Sequence, residues 1–211
     1  LFQILRVKSS PVSIFNETKL RKINLYVQES RLALLESHMP QSGFDYIKAR
    51  ILIDGKLKKA KIKYRGDFPV HWAWDKKSLR VKTSKGTLLD GLRTFNLQAP
   101  KRAEQLNNYF SFKLVEVLGL LVPRTEIVRL FLNGQDRGVY IFVEQPSEST
   151  LRNAKLMPGD IYRGETVGKD QFSYLGKQRN VKLFDSVSLW DKVAINNHYD
   201  PESLAPLEAL L

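Results

Sequence analysis

The stretch Tyr46–Arg65, with the sequence YIKARILIDGKLKKAKIKYR, predicts a β-hairpin in the first half of this chain. Two strand-like runs flank Asp54 and Gly55, a pair typical of the tight turn in a β-hairpin, and the second run alternates apolar residues with cations. Successive side chains of a strand point to opposite faces of the sheet, so the cations of the second run are predicted to share one face. These cations are Lys61, Lys63 and Arg65.

The segment Ser78–Thr83 repeats this pattern, with apolar residues alternating with Arg80 and Lys82. If the two basic strands pair, five cations lie on one surface. The whole chain carries 34 lysine and arginine residues against 22 aspartate and glutamate residues, a net charge of +12. Such an excess favours polyanionic or phosphorylated partners. A solvated basic face that only improves solubility is the alternative interpretation.

The chain divides into three regions: an amino-terminal extension with a helix (1–44), a mainly antiparallel sheet with one packed helix (45–145), and the start of a helical region (146–211). This order predicts an α+β fold class, a kinase-like amino lobe followed by the start of a helical carboxy lobe. The predicted strands after the first hairpin are Ser78–Thr83, Thr94–Leu97, Thr125–Leu132, Gly138–Glu144 and Asp160–Arg163. The predicted helices are Leu20–Ser37, Glu104–Leu118, Ser149–Met157, Val187–Asn197 and Pro201–Leu211.

The composition excludes several kinds of site. The chain has no cysteine, which excludes disulfides, thiolate catalysis and zinc–thiolate centres. No apolar run reaches the length of a membrane helix. The three histidines, His38, His71 and His198, are far apart in sequence, so no metal site is predicted. Because the chain begins at Leu1 and stops within an apolar periodic segment at Leu211, we expect it to be truncated.

Two ordered sets of short motifs resemble the CotH family, the atypical kinases of the spore coat. The first set is Lys63-Tyr64-Arg65-Gly66, a tryptophan-containing loop, and the basic run from Lys76 to Lys82. The second set runs from the end of the predicted helix into the second hairpin: Leu118-Gly119-Leu120, Pro123-Arg124-Thr125, Phe131-Leu132-Asn133-Gly134 and Gly138-Val139-Tyr140, leading to Glu144. The resemblance spans about residues 45–145.

This resemblance implies a kinase-like fold that uses ATP with Mg²⁺ to phosphorylate Ser or Thr of a protein partner. It implies that this partner is a coat or surface protein. It also implies a location in the spore coat or on an extracytoplasmic surface. By motif, the nucleotide-phosphate candidates are Arg65, Lys77, Arg80 and Lys82, and Glu144 is the hinge candidate. The family's catalytic and metal-binding residues are expected beyond residue 211.

The sequence departs from the family at two places. The segment after Arg65-Gly66 is Asp67-Phe68-Pro69-Val70 rather than a small polar run, and Pro69 has no backbone N–H to offer a phosphate. Lys113 stands where relatives often carry glutamate, so a lysine–glutamate pair of the kinase type would need Glu116 or Glu104.

Three other interpretations stay open or are weaker. The same fold could be a non-catalytic scaffold that binds an acidic partner through its basic face. Single-stranded nucleic acid is an unlikely partner, although Tyr64, Phe68, Trp72 and Trp74 could stack bases beside the basic strands. His198-Tyr199-Asp200 is similar to the His-x-Asp order of a kinase catalytic loop, but a helix N-cap at Asp200 followed by Pro201 explains it better.

Overall fold

Seven strands of this chain close into a β-barrel in the computed structural model, which describes residues 20–37, 39, 45–66, 71, 73–100, 106–164, 187, 190–194 and 204–210. Around the barrel the order is β1-β2-β3-β4-β5-β7-β6, and β6 returns to β1. Neighbouring strands are antiparallel except β1 and β6, which are parallel. The strands are β1 (Arg21–Tyr26), β2 (Ile47–Ile53), β3 (Lys56–Tyr64), β4 (Leu79–Thr83), β5 (Thr94–Gln98), β6 (Thr125–Leu132) and β7 (Gln135–Glu144).

Two tight turns set the register of the barrel. Asp54 and Gly55 both have positive φ, 49° and 71°, and connect β2 to β3, which confirms the predicted first hairpin. Asn133 and Gly134 have φ of 52° and 79° and connect β6 to β7 in the same way. Turns of this kind match the twist of the strands that they join, so the local sequence fixes both hairpins.

The core fills the interior of the barrel. Phe95 and Phe142 stack with ring centroids 4.8 Å apart, and both are fully buried. Buried side chains from the other strands belong to the same core cluster, among them Leu25, Ile62, Val81 and Leu130. Each fully buried side chain of this size contributes roughly 1.5–3 kcal/mol through the hydrophobic effect.

A short helix, α1 (Glu29–Ser37), packs against the barrel core through Leu35, which is 1% exposed. The prediction of one helix over Leu20–Ser37 is therefore wrong for its first part, which forms β1. The helical pattern there was outweighed by pairing with β6, where Ile23 lies beside Leu130. That partner is more than a hundred residues away, so local periodicity carries no sign of it.

The helix predicted in the middle of the chain is α2 (Asn107–Val117). It was expected to pack closely on the sheet, but none of its side chains is fully buried. Its apolar stripe faces outward, with Phe110 and Leu114 each 61% exposed and Val117 83% exposed.

The region after the barrel contains α3 (Glu148–Asn153), β8 (Ile161–Gly164), β9 (Trp190–Ala194) and α4 (Ala205–Glu208), with β8 and β9 paired antiparallel. The helix predicted over Val187–Asn197 is wrong, since its middle is β9. Across the described ranges, no helix is both long and apolar enough to cross a membrane.

The predicted fold class is also wrong. The chain is mostly β, with a closed seven-stranded barrel and a few short helices, rather than a kinase-like α+β lobe followed by a helical lobe. The reason is β1: by pairing with both β2 and β6 it joins the two ends of what was expected to be an open sheet.

Candidate functional site: a basic groove on the barrel

The outer face of β2, β3 and β4 carries rows of cations. Lys48 lies opposite Lys61, and Lys61 lies opposite Lys82, so three lysines form one row across three strands, here called the lysine row. Adjacent strands are about 4.8 Å apart. Lys63 also lies opposite Arg80, which confirms the shared surface for four of the five predicted cations, Lys61, Lys63, Arg80 and Lys82.

This arrangement costs stability. Like charges placed directly opposite each other on neighbouring strands destabilise a sheet by roughly 0.2–1 kcal/mol per pair. Lys48, Lys61 and Lys82 form no ion pair with any carboxylate that the structure describes, so no carboxylate in that part of the chain offsets their repulsion. A local violation of good pairing rules is typical of a functional surface.

A groove of about 810 Å³ lies against this face and is here called the basic groove. Among its described lining residues there is no aspartate or glutamate. The cations that line it are Arg31, Lys48, Arg50, Lys59, Lys61, Lys82 and Arg93. Clefts lined by one sign of charge concentrate ligands of the opposite sign, so the groove is suited to an anion.

Two tyrosines supply flat surfaces in the groove. Tyr46 lies between two cations, with Lys63 Nζ 5.2 Å and Lys82 Nζ 6.0 Å from its ring centroid. Burial raises the pKa of Tyr46, against the opposing effect of Arg80, so its hydroxyl stays protonated at neutral pH. Tyr26 is 38% exposed and lies opposite Arg50. Rings in such positions can stack on a planar group of a ligand.

Two predicted phosphate-binding residues have partners elsewhere. Lys77 Nζ lies 3.3 Å from Glu36 Oε2 of α1 and over the ring of Tyr64, whose hydroxyl donates a hydrogen bond to Glu36. Burial and this hydrogen bond raise the pKa of Tyr64. The Nε and Nη1 atoms of Arg65 are buried, and its backbone N–H donates to Ser78 O. Neither residue lines the basic groove.

Arg80 lies on the basic face but outside the groove lining. Its Nε donates to Asn96 Oδ1 at 2.9 Å, and Asn96 Nδ2 donates to Gln145 Oε1 at 3.1 Å. Asn96 is 4% exposed. The guanidinium is therefore held in place by a part-buried side-chain network that reaches Gln145, the residue after β7.

The hinge candidate, Glu144, has a structural environment and is 2% exposed. Its Oε2 accepts from the backbone N–H of Arg124 at 3.1 Å, and its Oε1 accepts from Thr150 Oγ1 at 2.8 Å. Its own backbone N–H donates to Arg124 O. The carboxylate thus ties the start of β6 and the helix α3 to the end of β7.

Of the five predicted site residues, Lys82 alone lines the basic groove. Lys48 and Arg50 were missed, although they alternate with apolar residues in β2 just as the chosen cations do in β3. Arg31 and Arg93 lie outside the strands and give no such signal.

Other candidates have simpler environments. Lys113 Nζ pairs with Glu116 Oε2 at 2.8 Å on the surface of α2, and His71 Nδ1 lies 3.4 Å from Ser78 Oγ. Tyr64 is only 7% exposed and is not available to stack on a base. Other predicted positions lie outside the described residues: His38, Asp67, Phe68, Pro69, Val70, Trp72, Glu104, His198, Tyr199, Asp200 and Pro201.

Residues 62–202 match the model of a protein family described as CotH kinase protein. The chain belongs to the CotH family. It is also 27% identical over 148 residues to the inner spore coat protein H of Bacillus subtilis (strain 168). That alignment covers 70% of this chain and 40% of the relative, so the chain spans well under half of the relative's length. The resemblance seen in the sequence is confirmed.

The CotH match begins within β3. Lys82 and Arg93 therefore lie inside the matched range, whereas Lys48, Arg50 and Lys59 precede it. The basic groove is assembled from both parts of the chain.

Proposed function

We propose that this CotH-family chain binds the triphosphate of ATP in the basic groove, as part of a protein that phosphorylates Ser or Thr of a coat protein. The observation that carries the proposal is the lysine row, in which Lys48, Lys61 and Lys82 share one side of a groove without carboxylates among its described lining residues. Phosphoryl transfer depends mainly on positioning and on cations that neutralise phosphate charge.

The described residues are better suited to binding a triphosphate than to forming a metal site made only of protein ligands. Lysine ammonium groups bind phosphate oxygens as point charges, and the ring of Tyr46 beside them could contact the nucleoside. Within the described part of the chain, no three His, Asp or Glu side chains come together to hold a metal ion. Mg²⁺ would thus be carried by phosphate oxygens, water and carboxylates outside these residues.

The relative supports the proposal of a location in the coat. The relative is named inner spore coat protein H, and we propose that this chain acts in the same kind of structure. Because the chain spans 40% of that protein, the transfer reaction itself is proposed for the whole parent protein, with its catalytic residues outside the described set.

The test is a calorimetric titration of the chain with ATP, with and without Mg²⁺. Lys61→Ala and Lys82→Ala should each weaken binding roughly tenfold, since a hydrogen bond to a charged group contributes about 1.5–3 kcal/mol. Lys56→Ala is the matched control, because Lys56 is an exposed lysine of the same strand that does not line the groove. Equal ATP affinity in all three variants would overturn the proposal.

A second candidate function is a non-catalytic scaffold that holds an acidic partner. It is favoured because two predicted nucleotide-binding residues have other partners. Lys77 pairs with Glu36, and the Glu144 carboxylate accepts a hydrogen bond from the backbone N–H of Arg124. A scaffold should bind acidic polypeptides with a strong salt dependence and should not distinguish ATP from other anions of similar charge. Titrations with ATP and with inorganic triphosphate separate the two functions.

A further inference from the structure

The basic groove has more positive charge than a Mg²⁺-bound triphosphate needs. The lysine row supplies three cations, and Mg²⁺ itself neutralises part of the phosphate charge. Two residues further along the same strands, Arg50 lies opposite Lys59, about 6.8 Å from the lysine row at the usual rise per residue. A second set of cations therefore lies beside the first.

This second set, here called the arginine end, consists of Arg50, Lys59 and Arg93. Backbone hydrogen bonds bring its members together: Ser84 N donates to Lys59 O, and the preceding Thr83 N donates to Arg93 O. All three cations are exposed, and none forms an ion pair with a carboxylate of the described residues.

The chemistry of the two ends differs. The lysine row offers compact ammonium groups, whereas the arginine end offers two guanidinium groups, whose planar forks fit phosphate oxygens two at a time. Clusters of arginine are a common means of recognising phosphorylated side chains. A phosphoserine carries a charge of about −1.5 to −2 and three acceptor oxygens, which suits this set of donors.

We propose that the arginine end binds a phosphorylated side chain of the partner polypeptide, while the lysine row binds the nucleotide. The acceptor protein is then recognised through a phosphate that it already carries. This inference rests on the proposed function for the nucleotide, which is the ligand of the lysine row. It also names the substrate class: Ser- or Thr-containing segments that have been phosphorylated at a neighbouring position.

The first experiment measures binding of fluorescein-labelled peptides by fluorescence anisotropy. One serine-containing peptide is used in three forms: unmodified, with one phosphoserine, and with glutamate at that position. The phosphorylated form should bind at least tenfold more tightly than the unmodified form, and the glutamate form should fall between them. Equal affinity of the phosphorylated and unmodified peptides would overturn the inference.

Variants locate the site. Arg50→Ala should weaken binding of the phosphopeptide roughly tenfold, and Arg50→Lys should weaken it less, because charge is kept while the fork is lost. Lys56→Ala is the control for net charge. Arg50 and Lys56 are both exposed, so each variant should keep the Tm of the parent protein. An unchanged Tm would show that the variant is folded. If Arg50→Ala and Lys56→Ala bind alike, the arginine end is not the site.

ATP titrations of the same variants separate this inference from the proposed function. Arg50→Ala should weaken ATP binding less than Lys61→Ala does, and saturating ATP should not displace the phosphopeptide. ATP binding without preference for the phosphopeptide would overturn the inference alone. Phosphopeptide binding without ATP binding would overturn the proposed function alone. A single-stranded oligonucleotide that binds as tightly, with the same loss in Arg50→Ala, would make the groove a general polyanion site and reject the inference.

Discussion

Replacing Lys61 by glutamate should make the protein more stable and, at the same time, remove binding of ATP. Lys61 lies directly opposite Lys48 on β2 and Lys82 on β4. The substitution turns two repulsive cross-strand pairs into two attractive ones, each change being worth a few tenths to 1 kcal/mol. With allowance for solvent screening of exposed charges, the free energy of unfolding should rise by about 1 kcal/mol.

Differential scanning calorimetry can measure this gain. For a chain of this size, about 1 kcal/mol corresponds to an increase in Tm of about 2–4 °C. The gain should shrink when the salt concentration is raised to about 1 M, where the screening length falls to about 3 Å.

Lys56→Glu is the matched control for the change in net charge. It makes the same change on the same strand, but Lys56 lies opposite Ile53 instead of a lysine. If Lys61→Glu is no more stable than Lys56→Glu at low salt, the lysine row does not strain the barrel, and the reasoning from repulsion to function fails.

Three further substitutions test the environments of single residues. Glu144→Ala leaves two donors without their acceptor and should lower the free energy of unfolding by roughly 3 kcal/mol in urea titrations, with ATP affinity unchanged. Gly66→Ala should abolish soluble expression, unlike Gly86→Ala, because Gly66 has a φ of 107° and a β-carbon there would lie 2.2 Å from the His71 ring. Burial raises the pKa of Tyr140 to about 12, so the folded state keeps a proton that the unfolded chain loses above about pH 10. Stability should fall as pH rises from 10 to 12, and Tyr140→Phe should reduce that fall by up to about 1.4 kcal/mol per pH unit; equal slopes in alkaline urea titrations would refute this.

The parts of the fold that the sequence predicts correctly depend on neighbouring residues. Asp54-Gly55 and Asn133-Gly134 are turn signals within hairpins, and the strands on either side alternate apolar and polar residues. Closure of the barrel depends instead on β1, whose partner β6 lies about a hundred residues away. A six-residue segment cannot reveal such a partner, so periodicity alone favoured a helix there.

The candidate site was predictable to a similar degree. Alternation in β3 and β4 placed Lys61 and Lys82 on one face, and the pairing of those strands confirms it. The resemblance also pointed to Lys77 and Glu144 by their positions in the motifs. A motif match gives the type and order of residues, but it does not show what each side chain contacts. Lys77 is engaged by Glu36, and Glu144 by backbone and hydroxyl donors. Most of these contacts join residues that are distant in sequence, so they can be identified only in the folded structure.

Barrel closure and the site are linked through the first strands. β1 provides Tyr26 to the groove, β2 provides Lys48 and Arg50, and all of these precede the range that matches the CotH model. Without β1 and β2, the barrel would expose the edges of β3 and β6, with rows of unpaired backbone groups. The same loss would remove part of the groove lining, including Lys48 and Arg50, two of its seven cations. The proposed binding of phosphate in the groove therefore depends on strands outside the matched range, because those strands both close the barrel and carry part of the charge.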